Sequence, residues 1–311
     1  MRILHGLGAL PADERICATV GVFDGLHRGH RQMLAELERV AQRLAATPTV
    51  ITFDPHPEAI VRGRAPELIM DPDERLERLA DAGVGITVVQ RFDEAFRRTS
   101  AQAFLEQLGA GRTLAGLVMT SESAFGRDRA GTLQVVREMS AREGWEVVEA
   151  PTFELRGGRV SSARIRELVR SGRLAAARVL MGRDYGIVGG VVHGDGRGRE
   201  LGFPTANLYF HAPVCLPPDG ILAARASWGG EALLAPQERA DAVISLGTRP
   251  TFGGGERVFE VHVLDREVDL YGQRLRVELV RHLRGQRRYT SADALVEQMV
   301  RDVIRARAVL G

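Results

Sequence analysis

The chain has 311 residues, 44% hydrophobic and 26% charged, with a net charge of +2; that length suits two domains, each able to bury its own core, and the composition is that of an ordinary globular protein. Arginines interleaved with acids argue against a nucleic-acid surface, and no apolar run approaches bilayer length or forms the core of a secretory signal, so a cytoplasmic protein with neither nucleic acid nor membrane as partner is expected, a monomer or weak homo-oligomer. All 42 basic residues are arginine, which excludes a Walker A loop or a protein-kinase fold, both of which place a lysine on the ATP phosphates.

In chain order, apolar residues through Val20 predict a buried strand bearing Cys17, Asp24-Gly25 turns the chain, and apolar residues at helical spacing follow from Arg31 to Leu44. A strand, a glycine turn and a helix aim free backbone N–H groups and the positive end of a helix dipole at whatever lies above the sheet, an arrangement suited to phosphate. His27 and His30, with Gly29 between them, add donors beside the same anion, and the chemistry implied is nucleotidyl or phosphoryl transfer. Zinc is the competing reading of this histidine pair; it would need a third and a fourth ligand, and Cys17, the nearest cysteine, lies on the buried strand. Cys17 and Cys215 are far apart in segments assigned to different domains, so no disulfide is expected between them.

Thr49 to Phe53 reads as the second strand, ended by the stiff turn Asp54-Pro55-His56-Pro57. Asp71-Pro72-Asp73-Glu74 opens a helix from Glu74 to Ala82, with acids where the dipole favours them and Gly83 as its stop. Strands at 86–90, 117–120 and 146–150 alternate with helices at 101–108 and 133–143, the pattern of a parallel sheet covered on both faces. Ligands of such sheets bind beyond the carboxyl ends of the strands, where His27, Asp54 and Thr120 are expected to converge. Ser161 or Ser162 caps a helix running to Arg170; the same helix N-terminus, with Arg159 and Arg166, could instead hold phosphates. A short helix at 174–181 and a linker at 182–185 close the first module.

After Tyr185 glycine and β-branched residues rise and helical periodicity gives way to short strands, predicting a β-barrel of about 105 residues and a terminal helix at 291–310. The glycine-rich run from Gly194 to Gly202 reads either as turn chemistry or as a binding loop, because it leads into Phe203-Pro204-Thr205-Ala206-Asn207. On a strand, Thr205 and Asn207 share a face, and both offer the oxygen ligands that Mg²⁺ accepts.

These stretches carry a resemblance. His27-Arg28-Gly29-His30 is similar to the His-x-Gly-His signature of the nucleotidyltransferase superfamily, and the longer run from Gly21 to His30 resembles that of bacterial bifunctional riboflavin kinase/FMN adenylyltransferases. Ser121 to Gly131 is similar to that family's flavin-site loop in Phe125-Gly126, Arg159 to Arg166 to its Arg-x-Ser-Ser-Thr-x-Ile-Arg motif, and Gly202 to Asn207 to the riboflavin kinase signature. Gly247 to Phe252, Phe259 to Asp265, Leu270 to Gly272 and Leu283-Arg284 match further on.

The resemblance implies an α/β nucleotidyltransferase domain with a Rossmann-like parallel sheet over 1–182, then a riboflavin kinase barrel with a C-terminal helix over 186–311. It also implies ATP as co-substrate, Mg²⁺ as cofactor, and riboflavin, FMN and FAD as substrates and products. For adenylylation it assigns His27 and His30 to catalysis, Gly21, Phe23, Asp24, Gly29, Ser162 and Arg166 to ATP, and Asp54, Glu122 and Arg159 to FMN. For the kinase it assigns Gly202, Pro204, Thr205 and Asn207 to ATP and magnesium, Glu260 as general base and Arg284 to the flavin. Departures fall at Thr120, Glu122, Ser123 and Ala163, with milder ones at Arg249 and Ile221-Leu222. A carboxylate at 122 should repel anionic FMN unless an arginine pairs with it, so the readings left open are a bifunctional enzyme, a kinase with a weakened or redirected adenylyltransferase half, and a non-catalytic flavin-binding regulator.

Overall fold

Strands buried on both faces must be apolar on both, and the runs Ile16–Val20 and Leu114–Met119 lie almost wholly out of solvent. The computed structural model describes residues 1–109, 113–194, 197–249 and 256–311, without the side chains of Arg197, Arg249 and Glu256. Asp195-Gly196 and Pro250 to Phe252 of the sequence motifs lie outside the described residues.

The first half runs β1 (Arg2–His5), β2 (Ile16–Val20), α1 (Arg28–Arg43), β3 (Thr47–Asp54), α2 (Pro57–Val61), α3 (Pro72–Asp81), β4 (Ile86–Arg91), α4 (Glu94–Arg97), α5 (Ala101–Gln107), β5 (Leu114–Met119), β6 (Ala124–Phe125), β7 (Gly131–Thr132), α6 (Leu133–Glu143) and β8 (Glu146–Glu149). Six of these strands form one sheet in the order β1-β4-β3-β2-β5-β8, every neighbour parallel. Ile51, Ile86, Val88, Phe104, Leu105 and Leu117 anchor its core. The order β3-β2-β5 puts three carboxyl ends side by side, and from these ends Asp54, the Gly21–His30 turn and Thr120 emerge. The edge strand β1 was not anticipated; it is too short and too exposed to show an apolar pattern, and only its pairing with β4 defines it. The first helix begins at Arg28, three residues earlier than its apolar spacing suggests, because its opening turn is polar.

The second half runs α7 (Ser162–Arg170), α8 (Leu174–Met181), β9 (Tyr185–Val192), α9 (Arg197–Glu200), β10 (Ala206–Tyr209), β11 (Gly220–Trp228), β12 (Glu238–Arg249), β13 (Glu256–Val263), β14 (Arg274–Arg284) and α10 (Ala292–Leu310). Its strands close an antiparallel barrel in the order β10-β13-β12-β11-β14-β9, with β9 pairing back to β10. Closure leaves no unpaired edge. Helix α10 packs Ala306 and Leu310 against Ala223 of β11.

The compact units are Met1–Pro66 with Arg75–Ser161, and Glu67–Glu74 with Ser162–Gly311. Helices α7 and α8 therefore group with the barrel, and residues 182–185 are not a loose tether: Tyr185 is fully buried and donates to the Cys215 carbonyl at 2.5 Å. The acidic stretch Asp71 to Glu74 does more than favour a helix dipole. Within the barrel unit, Arg274 of β14 bonds Asp71 at 2.8 Å and Asp73 at 2.6 Å, and the buried Arg276 bonds Glu74 at 3.1 Å.

Candidate active sites

In the sheet unit, the turn after β2 is held by its own histidines. His27 is the N-cap of α1, and its Nδ1 accepts the His30 backbone N–H at 3.2 Å. Accepting at Nδ1 leaves the neutral ring's proton on Nε2, so this bond selects the tautomer and makes Nε2 a donor. The His27 and His30 rings stack 3.7 Å apart at 12°, and Phe23 lies against His30 at 5.1 Å. Parallel stacking with Nδ1 engaged as the cap suits a pair of anion-facing donors; it does not suit convergent metal ligation. An added Cβ at Gly29 would crowd the His27 ring at 3.3 Å, which the ring could relieve only by shifting. Asp24 and His27 are buried, and the Gly21 N–H is anchored to Ile51 O at 3.0 Å.

At the neighbouring strand end, Ser123 closes a tight turn by accepting the Thr120 N–H at 3.0 Å and hydrogen bonding the Thr120 hydroxyl at 2.9 Å. Two of the residues that depart from the family pattern, Thr120 and Ser123, are thus bonded to each other. Phe125 is buried against Phe104, and Gly126, at φ 73°, passes so close to α5 that a Cβ would lie 2.6 Å from the Ala101 nitrogen. Glu122 is ion-paired with Arg159, which supplies the pairing arginine that a carboxylate at this position requires. Asp54 is exposed at the end of β3.

Ser162 and Arg166 belong to α7 in the barrel unit, where Arg166 Nε donates to the Glu67 carbonyl at 2.7 Å.

In the barrel, β10 and β13 pair so that Asn207 stands directly opposite Glu260. Directly opposed residues project to the same face of a sheet, with Cβ atoms about 5 Å apart. Asn207 is buried, and on its other side it opposes Val192. Gly194 approaches its amide so closely that a Cβ there would lie 2.1 Å from Nδ2. Thr205 lies just ahead of β10, in a loop whose Pro204 carbonyl accepts the Nδ1–H of His262 at 2.8 Å. His262 is two residues beyond Glu260 on the same strand and therefore on its face. Gly202 ends the preceding turn in the left-handed region at φ 81°.

Arg284 is placed differently from a free flavin contact. Its guanidinium forks onto Asp302 of α10 at 2.6 to 3.0 Å, Gln298 also donates to Asp302 at 2.9 Å, and both ion-paired side chains are buried. Sequence reading missed Asp302, Gln298 and His262; the Arg-Asp pair spans 18 positions and two elements, so no local spacing announces it.

A FAD synthetase family model matches residues 10–164, and a riboflavin kinase model matches residues 181–310. The Escherichia coli K12 bifunctional riboflavin kinase/FMN adenylyltransferase is 34% identical across 100% of this chain and 97% of its own. That of Haemophilus influenzae is 32% identical over 99% of both, and that of Bacillus subtilis 29% identical over 91% of this chain and 89% of its own. A solved Streptococcus pneumoniae structure named macrolide-efflux protein is 27% identical, covers 99% of each chain and superposes with a TM-score of 0.87. Among the described residues no helix is long and apolar enough to cross a membrane. The two family models follow one another along the chain and relatives at 34% and 32% identity align with nearly all of it, so the chain belongs to the bifunctional riboflavin kinase/FMN adenylyltransferase family.

Proposed function

We propose that this chain phosphorylates riboflavin to FMN in the barrel and joins FMN to the AMP moiety of ATP in the sheet domain, giving FAD and pyrophosphate. The observation that carries the reading is the cross-strand pair Asn207–Glu260, which sets a magnesium-type oxygen ligand beside a carboxylate base on one face of the barrel. The functional division is drawn near residue 185, with 1–182 for adenylylation and 186–311 for the kinase, and the enzyme works in the ATP-rich cytoplasm.

In the kinase step Glu260 takes the proton of the ribityl 5′-hydroxyl, whose oxygen attacks the γ-phosphorus of ATP as ADP leaves. The Thr205 hydroxyl and the Asn207 amide oxygen are hard, neutral ligands of the type Mg²⁺ accepts, and they would hold it. When bound there, Mg²⁺ neutralises charge on the transferring phosphates. Gly202 and Pro204 shape the loop over ATP, and Arg284, locked by Asp302, fixes the end of β14 on the flavin side.

In the second step an FMN phosphate oxygen attacks the α-phosphorus of ATP and pyrophosphate leaves. His27 donates from Nε2, and His30 and the α1 N-terminus add positive potential where charge develops. Gly21, Phe23, Asp24 and Gly29 form the ATP loop, and Asp54, Glu122 and Arg159 face FMN. The Glu122–Arg159 ion pair favours an intact adenylyltransferase half over a weakened one, because the added negative charge is matched.

The test is incubation with riboflavin, ATP and Mg²⁺, resolving riboflavin, FMN and FAD over time. His30→Ala should lower FAD formation by about 10²–10³-fold and spare FMN formation. Glu260→Ala should lower FMN formation by about 10²–10⁴-fold and spare adenylylation of supplied FMN. A folded point variant that loses both activities would replace this assignment with a single shared site.

A further inference from the structure

We infer that Arg75 is a positioning residue for adenylyl transfer, holding the nucleotide loop in its reactive shape through the Val22 carbonyl. This rests on the reading of the sheet domain as the FMN adenylyltransferase.

Val22 is the last residue before Phe23, which sits in the left-handed region at φ 55°, and Leu26 follows at φ 33°. Non-glycine residues adopt such angles at a cost, and they persist only where the surroundings over-determine them. The Val22 carbonyl is the point of constraint. It accepts from Thr52 Oγ1 at 3.1 Å and from Arg75 Nη1 at 3.1 Å, and Arg75 Nη2 also reaches the Phe53 carbonyl at 3.5 Å. Thr52 is fully buried and Arg75 only 8% exposed.

Two buried donors on one carbonyl fix the plane of the Val22–Phe23 peptide. That plane sets the direction in which the chain enters Phe23, Asp24 and Gly25, and from there the cap at His27. Arg75 also ties the carbonyl end of β3 to the turn after β2, since Phe53 and Val22 belong to those two strand ends. A guanidinium holds both carbonyls at once, because its planar fork presents two N–H groups in a fixed geometry, whereas an ammonium in its place would reach only one of them. The role assigned to Arg75 is exerted through the loop, by way of the Val22 carbonyl.

The experiment measures adenylylation of supplied FMN and phosphorylation of riboflavin by the full chain carrying Arg75→Met, Arg75→Lys or Thr52→Val, with thermal unfolding of each. Displacing a positioning element by about 1 Å costs on the order of 10²-fold, so Arg75→Met should lower kcat for FAD formation by about 10–100-fold, leave KM for FMN and the riboflavin kinase rate unchanged, and be partly rescued by Arg75→Lys. If Arg75→Met does not fold, Thr52→Val, which removes the other bond to the same carbonyl, should show the same split. Arg75→Met or Thr52→Val adenylylating at the wild-type rate overturns the inference, as does a loss of both activities together with a lowered unfolding temperature. A wild-type chain that makes no FAD would instead overturn the underlying reading of the domain.

Discussion

Gly194→Ala tests the barrel site without touching a proposed catalytic group. The added methyl carbon would lie 2.1 Å from Nδ2 of Asn207, 2.7 Å from its Cγ and 3.0 Å from its Oδ1, where ordinary contact begins at 3.4 Å. The amide must therefore retreat by about 1.3 Å, and a misplacement of that size in a group that orients reactants costs on the order of 10²-fold in rate. It has little room to retreat, since Asn207 is buried on β10 with Val192 and Glu260 opposite it on the two flanking strands. Riboflavin phosphorylation at saturating ATP and Mg²⁺, followed by chromatography of FMN, should fall by about two orders of magnitude. Adenylylation of supplied FMN should continue at its wild-type rate. Gly190→Ala on β9 is the matched control, because a Cβ there meets nothing within 4 Å. A Gly194→Ala protein that phosphorylates riboflavin as fast as Gly190→Ala would refute the placement of Asn207 at the site.

Arg159→Ala should weaken FMN adenylylation by leaving the Glu122 carboxylate unmatched, and adding Glu122→Gln should recover part of the loss; a double variant no better than Arg159→Ala in its KM for FMN would show that the pair has no such role. Arg276→Ala leaves the almost fully buried Glu74 without its guanidinium and should destabilise the barrel unit by about 3–5 kcal/mol, read from denaturant unfolding. Burial, with the Glu146 charge adding to it, pushes the Cys17 thiol from its ordinary 9.0 up to about 12. A thiol raised in the folded state adds stability that is complete below pH 9.0 and is lost as pH climbs toward about 12. Between those limits wild-type stability should fall by about 1.4 kcal/mol per pH unit more steeply than that of Cys17→Ala, and equal slopes would refute it.

The sequence alone was enough for architecture and chemistry wherever a local pattern carries the information. Apolar runs alternating with amphipathic helices specify a parallel sheet because both faces of such strands are covered, and β2, β3, β4, β5 and β8 lie where those runs are. The strand-turn-helix at Gly21 to His30 and the run from Gly202 to Asn207 were visible because backbone turns and oxygen ligands are short-range devices. β1 was invisible for the same reason, since four largely exposed residues show no period and pairing alone makes them a strand.

What the tertiary structure decided are the partnerships made across distance. Asn207 meets Glu260 only through the register of β10 on β13, and Arg284 meets Asp302 only when α10 folds back on β14. The capping bond that selects the His27 tautomer needed the helix to start at Arg28. Glu122 read as an unmatched charge until Arg159 was placed against it, and Asp71, Asp73 and Glu74 read as helix-opening acids until Arg274 and Arg276 were found beside them. Charge and hydrogen-bond pairing depend on proximity in space, and spacing along a chain encodes proximity only within one element; between elements, packing of the apolar core sets it.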